Sequence, residues 1–273
     1  MPGLDDILDG LEKELVLERE LGVRSLECDR TLLAPPAAAP KGPGTAPRPY
    51  ERAAPSAQPA PAQPAQPAPA VPVTGDLAAI AAQISTCRKC GLYGQRTKTV
   101  PGQGNSAQPD FMFIGEAPGQ EEDSQGLAFV GAAGKLLTKM IAATGYTRDQ
   151  IFIANVCKCR PPHNRTPTPE EMAVCMPYLQ RQIELVRPRV IILLGRTAMN
   201  GLFPETRIRR GVWYDYHGTP VIATFHPAYL LRFDSFNDQT GLRAAKLEVW
   251  GILKSALAKI GKKPPERKKA TAP

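Results

Sequence analysis

Asp110-Phe111-Met112-Phe113-Ile114-Gly115-Glu116-Ala117-Pro118-Gly119 is a short apolar run that ends on a glycine, a carboxylate and a turn. Consecutive apolar residues with no polar alternation read as a strand buried on both faces, as in a parallel sheet. The pattern recurs three times. Ile151-Phe152-Ile153-Ala154 runs into Asn155, Val190–Leu194 into Gly195, and Val221–Phe225 into His226-Pro227. Helical spacing between and after these runs predicts helices over Ala132–Thr144, Pro169–Val186, Arg196–Leu202 and Leu242–Ile260, with a shorter one at Leu77–Ser85. The start at Pro169 is well marked: Thr168 can cap, proline suits the first position, and Glu170 and Glu171 face the positive end of the dipole. Trp213–Tyr216 and Val221–Thr224 flank His217-Gly218-Thr219-Pro220, which predicts a hairpin before the last strand. Alternating strands and helices give an α/β chain, a three-layer α/β/α fold around a central four-stranded parallel sheet. Ligands of such sheets bind beyond the carboxyl ends of the strands, so Glu116, Asn155 and His226 are predicted to converge on one pocket.

Working outward, residues 34–75 hold 13 prolines and 13 alanines and no apolar periodicity. Such a stretch cannot build a core and is expected to be an extended, disordered spacer. It separates an N-terminal segment, residues 1–33, from a catalytic body over 76–260, followed by a basic, disordered tail at 261–273. Leu4, Ile7, Leu8, Leu11 and Leu15 predict an amphipathic helix over 4–21, which has no body of its own and suits docking or a protein partner. Net charge is −3 over 1–75, +7 over 76–260 and +4 in the tail, a distribution that suits a polyanionic partner. The acidic N-terminus does not read as a secretory signal, and no apolar run reaches the length of a membrane span. A cytoplasmic, monomeric protein with reduced cysteines is expected, so ligation is a better reading of the six cysteines than disulfides.

Cys87-Arg88-Lys89-Cys90 is a two-residue-spaced knuckle, Cys159 follows the second strand, and Cys175 lies sixteen residues later on the next helix. Two thiolates from a knuckle and two from a crossover complete a tetrahedral set for zinc or an iron–sulfur cluster, and the spacing does not separate the two. Cys157 competes for the fourth position, because in an extended strand it points the same way as Cys159.

Taken together, these segments resemble a known family. Cys87-x2-Cys90, Gly115–Gly119 with Glu121-Glu122-Asp123, Phe129-Val130-Gly131, Asn155–Pro162, Asn164-Arg165, Cys175 and His226–Arg232 stand in the order and spacing of the family-4, iron–sulfur uracil-DNA glycosylases. The resemblance covers roughly Ile84 to Ile260. It implies hydrolysis of the N-glycosidic bond of deoxyuridine in single- or double-stranded DNA, releasing uracil and leaving an abasic site. It also implies a [4Fe–4S] cluster on Cys87, Cys90, Cys159 and Cys175. Glu116, Asn164 and His226 are then the expected catalytic residues. Gly115, Ala117, Glu122, Phe129 and Asn155 bind the base, with Phe129 stacking on it and Glu122 filling the space a thymine methyl would need.

The chemistry agrees. Water attacks the sugar as the base leaves through an oxocarbenium-like state, and the departing uracil carries negative charge on O2. A histidine at a strand end can donate a hydrogen bond to that oxygen as the charge grows. A carboxamide at Asn155 can donate to O4 and accept from N3–H, where cytosine presents the reverse pattern. The His226–Arg232 run is expected to be a DNA-facing loop whose Tyr229, Leu230 and Leu231 wedge into the gap left by the flipped base. Arg165, Arg209, Arg210 and Arg232 are placed to reach phosphates. Two other readings compete: a relative that traps the sugar covalently through a histidine, for which His163 stands close to the required place, and a non-catalytic DNA-binding module.

Overall fold

The computed structural model describes residues 75–236 and 239–265, without the side chains of 234–239. The helix expected over 4–21 and the Pro/Ala-rich stretch as far as residue 74 lie outside the described residues. Six strands form one sheet: β1 (Gln103–Gly104), β2 (Phe111–Gly115), β3 (Phe152–Asn155), β4 (Val190–Leu194), β5 (Trp213–Tyr216) and β6 (Thr219–Thr224). Their spatial order is β1-β3-β2-β4-β6-β5. The four central strands are parallel, as the apolar runs predict, and every residue of β2, β3 and β4 is buried. The sheet is wider than the expected four strands, however. The hairpin adds β5 antiparallel to β6, and Gln103–Gly104 adds a two-residue antiparallel edge on β3. Two residues carry too little periodicity to be read as a strand.

Seven helices are described: α1 (Leu77–Ser85), α2 (Gln120–Gln125), α3 (Ala132–Ala143), α4 (Pro169–Val186), α5 (Gly195–Leu202), α6 (Pro227–Phe236) and α7 (Gln239–Lys259). In α4, Thr168 Oγ1 accepts from Glu171 N–H at 3.2 Å and Glu171 Oε2 accepts from Thr168 N–H at 2.8 Å. This reciprocal cap is worth about 1 kcal/mol. Two helices differ from expectation. The acid-rich α2 was not anticipated, and the His226–Arg232 run is a helix from Pro227 onward, not a loop. Proline fits its first position, and Tyr229 N–H closes a turn onto His226 C=O at 2.8 Å.

Strand register brings the chemistry together. Gly115 pairs with Asn155, Ile114 with Leu193, and Leu194 with Thr224. The residues that follow β2, β4 and β6, with Asn155 itself, therefore reach the same edge of the sheet within one or two positions. Beyond Ile260 the chain is still tethered, since Lys262 Nζ bonds Asp110 Oδ2 at 2.8 Å.

Candidate active site

At that edge lies a cleft of about 1140 Å³. Glu116, Ala117, Phe129, Asn155 and His226 all line it, so the predicted convergence is observed. Gly115 makes the convergence sterically possible. A Cβ on it would lie 2.4 Å from Phe129 Cζ and 2.5 Å from Asn155 Oδ1. Asn155 is buried, and its Oδ1 has no hydrogen-bond partner among the described residues. A buried carbonyl oxygen left open costs roughly 1–3 kcal/mol, so its position against the cleft marks a binding group.

His226 is held by its own helix. Its Nδ1 accepts from Ala228 N–H at 3.1 Å, which leaves Nε2 to carry the proton. Burial and then the neighbouring Arg232 push its pKa down to about 4, so the imidazole is neutral at pH 7 and donates through Nε2–H. Gly195, at the end of β4, has φ +82°, and a Cβ there would lie 2.8 Å from His226 Cβ. Both facts require glycine.

Phe129 adopts a left-handed backbone, φ +53°, which is unusual for a bulky side chain. Its neighbours over-determine that conformation. Ala128 N–H donates to Gln103 Oε1 at 3.2 Å, and Ala128 C=O accepts from Arg148 at 2.6 Å. Val130 and Gly131 N–H both donate to Glu122 Oε1 at 2.9 Å. The other carboxylate oxygen of Glu122 accepts from Gly119 N–H at 3.1 Å. Glu122 therefore ties the Gly115–Gly119 turn to the Phe129 segment. Phe129 lies 5.7 Å from His226 between ring centroids, and the two form adjoining walls of the cleft. Asp123 is structural, accepting from Thr97 and Lys98 N–H, while Glu121 lines the cleft.

Glu116 follows β2, and its Oε2 accepts from Thr197 Oγ1 at 2.5 Å. Thr197, Arg196 and Asn200 on α5 also line the cleft. The sequence reading missed them, although the strand-end rule that marked Gly195 reaches Thr197 two residues later.

The rim differs from the sequence expectation. Leu230 is only 2% exposed and belongs to the core, because its helical position turns it inward. It cannot wedge into a duplex from there. Tyr229 is 41% exposed, lines the cleft and stacks on Phe225 at 4.8 Å. Arg210 is outside the cleft lining. Its guanidinium lies 3.7 Å from the Phe225 ring centroid and pairs with Glu248 at 2.7 Å, so it braces the segment before His226 instead of offering itself to a phosphate. Arg209 is likewise outside the cleft lining, and its backbone N–H donates to Tyr214 Oη. Arg232 and Arg165 do line the cleft, and Arg165 is oriented by a two-pronged pair with Glu171 at 2.7 and 2.8 Å. Asn164 lines it from a turn with φ +54°, its Oδ1 accepting from Arg160 at 2.7 Å. His163 does not line it.

A second, small cavity is lined by Cys87, Cys90, Cys159 and Cys175, the four cysteines singled out by spacing. Cys157 is not among its walls. The chain leaves β3 after Asn155 and is no longer extended, so Cys157 and Cys159 diverge. The buried thiols of Cys157 and Cys175 interact, which raises the pKa of Cys157 and lowers that of Cys175 to about 7. Arg96 donates to Cys159 Sγ at 2.9 Å and Lys158 N–H to Cys175 Sγ at 3.3 Å. Burial raises the thiols of Cys90 and Cys159, the latter to about 11, so ligation at neutral pH must release protons. Among the described residues, no three His, Cys, Asp or Glu side chains are gathered closely enough to hold a single metal ion.

A family profile described as the uracil DNA glycosylase superfamily matches residues 101–253. A type-4 uracil-DNA glycosylase of Archaeoglobus fulgidus is 48% identical over 163 residues, covering 56% of this chain and 81% of that protein. One of Thermotoga maritima is 43% identical over 187 residues, covering 67% and 95%. A type-5 uracil-DNA glycosylase of Mycobacterium leprae is 28% identical over 198 residues, covering 56% and 86%.

Proposed function

The chain belongs to the uracil DNA glycosylase superfamily and, within it, to the type-4 enzymes, and from that premise we propose how its residues divide the work of removing uracil from DNA. The reaction is hydrolysis. The bond between the sugar C1′ and uracil N1 breaks with its electron pair going to the base, and water supplies the new oxygen at C1′. The base enters flipped out of the stack, between Phe129 and the strand ends. Asn155 reads it, donating to O4 and accepting from N3–H. His226, neutral and with Nε2–H free, donates to O2 as negative charge builds there. Glu116 directs the attacking water, and Asn164 closes the same side of the cleft. Glu122 shapes the pocket through its grip on Gly119, Val130 and Gly131. Arg165, Arg232 and Tyr229 meet the DNA at the rim.

The observation that carries this reading is Asn155 Oδ1, buried, unpaired and set beside the one glycine that leaves it room. With cytosine in place of uracil, both hydrogen bonds of the carboxamide would be lost, a mismatch able to discriminate by orders of magnitude. Asn155→Asp should lower uracil excision by about 10²-fold or more and shift preference toward cytosine, since a protonated acid can match cytosine N3. Asn155→Ala excising uracil at the parental rate would remove the base-reading role. The same assay, followed on a denaturing gel, tests turnover: free uracil and abasic DNA are expected, without a stable adduct that depends on His163.

Cys87, Cys90, Cys159 and Cys175 fit a [4Fe–4S] cluster. They line one cavity, and an all-thiolate set of four is the donor set such a cluster takes. When bound, such a cluster cross-links the knuckle, the chain after β3 and α4, and that is the chemistry it supplies. Lys158 carries the link to the cleft, because its buried ammonium donates to Asn155 C=O at 2.8 Å and to Gln182 Oε1 at 2.6 Å. Residues 76–260 are the catalytic unit. In this reading the apolar spacing of Leu4–Leu15 suits docking on that unit or a protein partner, and the Lys/Arg-rich C-terminal tail suits nonspecific attraction to DNA.

A further inference from the structure

We infer that Thr197 is a positioning residue for the reaction, fixing the carboxylate of Glu116 so that one oxygen is presented to the attacking water. The inference rests on the assignment of Glu116 to that water. Glu116 is anchored at two points. Its backbone C=O accepts from Cys157 N–H at 3.0 Å, which ties the chain after β2 to the chain after β3. Its side-chain Oε2 accepts from Thr197 Oγ1 at 2.5 Å, which ties it to α5. Among the described residues, Oε1 takes no hydrogen bond, and Glu116 lines the cleft. A short bond to one oxygen with the other left open is the arrangement a water-directing carboxylate needs, since the open oxygen can accept only if the group does not rotate.

Thr197 reaches Glu116 because of where α5 begins. Helix α5 starts directly at the end of β4, through Gly195 at φ +82°, so its first turn stands over the neighbouring strand β2. A threonine inside a helix commonly turns its hydroxyl back onto a carbonyl of the preceding turn. This one spends its hydroxyl on an acid 81 residues away in sequence. The other charged groups of the cleft do not take its place. Arg165 is committed to Glu171, and the Glu122 carboxylate is committed to three backbone N–H groups. His226 and Arg196 share the cleft, and among the described residues neither has a hydrogen bond to Glu116.

The test is single-turnover and steady-state excision of uracil from a short single-stranded oligonucleotide by four proteins beside the parent: Thr197→Val, Thr197→Ser, Glu116→Gln and the Thr197→Val/Glu116→Gln double variant. Valine keeps the shape and removes the hydroxyl. Loss of positioning should lower kcat by about 10-fold to 10²-fold with KM within about 3-fold of the parent. Serine should restore most of the rate. The double variant should be no slower than Glu116→Gln alone, because Thr197 acts only through that carboxylate. Losses that multiply, a change confined to KM, or Thr197→Val at the parental rate would overturn the inference while leaving Glu116 in its role. Glu116→Gln at the parental rate would overturn the assignment of Glu116, and this inference with it. Thermal melting of each variant separates misfolding from mispositioning. A Thr197→Val protein that melts far below the parent, with Thr197→Ser at the parental midpoint but still slow, also counts against it.

Discussion

The cleft and the cysteine cavity draw on one short stretch of chain, Asn155 lining the first and Lys158 and Cys159 the second, yet they are built in opposite ways. In the cleft, functional groups sit at strand ends, and backbone N–H groups and helix starts hold them so that selected atoms stay open: Asn155 Oδ1, Glu116 Oε1 and His226 Nε2. In the cavity, four thiols from three separate stretches of chain line one small space, with Cys159 and Cys175 buried and Cys87 and Cys90 partly so. One region is organised to meet a ligand that comes and goes. The other is organised to hold something in place. Lys158 joins them, with its backbone N–H on Cys175 Sγ and its ammonium on Asn155 C=O. If the comparison is right, damage to the cleft removes rate and spares the fold, while damage to the cavity removes the fold first.

The largest effect should come from the cleft. His226→Ala is expected to lower single-turnover excision by about 10²- to 10³-fold, because the lost hydrogen bond strengthens only as charge develops on the leaving base. DNA affinity should change little and should instead follow salt concentration through the rim arginines. A His226→Ala protein whose main defect is weak DNA binding would show that this side chain holds substrate and does not stabilise the transition state.

The cavity should respond differently. Cys159→Ser is expected to lose the bound iron and sulfide and to melt well below the parent, with excision falling in proportion to the folded fraction. Cys157→Ser should keep the metal, since that thiol lies outside the cavity wall. Elemental analysis together with thermal melting decides the matter. Metal lost from Cys157→Ser but kept by Cys159→Ser would exchange their roles, and zinc as the only metal of aerobically prepared protein would remove the cluster.

The contrast also explains what could be read without a structure. The central sheet was legible because each parallel strand is a continuous apolar run, and the cleft followed from where those runs stop. The cysteine set followed from spacing, although the choice of Cys159 over Cys157 depended on the chain leaving β3 at Asn155, a turn the spacing does not encode. The rim was the least legible part. Leu230 and Tyr229 are adjacent and both apolar enough to wedge into DNA, and only the helical phase after Pro227 sends Leu230 into the core and Tyr229 outward. Arg210 looked free because its partners, Phe225 and Glu248, are 15 and 38 residues away in sequence. Thr197 is not legible because its partner Glu116 lies 81 residues away, just beyond the end of β2.

The smallest expected effect is a nearly flat line, and it probes the same division of labour. With its pKa pushed down to about 4 by burial and by Arg232, His226 stays neutral across the range where an ordinary histidine near 6.5 changes charge. Excision, measured as kcat/KM at constant ionic strength, should therefore vary by less than about 2-fold between pH 5.5 and 7.5, with no inflection near 6.5 that belongs to this residue. Stability has a definite sign over the same interval. Between about 6.5 and about 4 the unfolded chain binds a proton at this site and the folded chain does not, so stability falls as pH drops through that window and gains nothing from His226 above it. A melting series should show this slope in the parent and lose part of it in His226→Gln. An acid limb near pH 6.5 that vanishes in His226→Gln would mean that the imidazole titrates like a solvent-exposed one. Charge would then have to be gained and lost within the cleft during each turnover, and a neutral Nε2–H donor would no longer describe how the leaving base is stabilised.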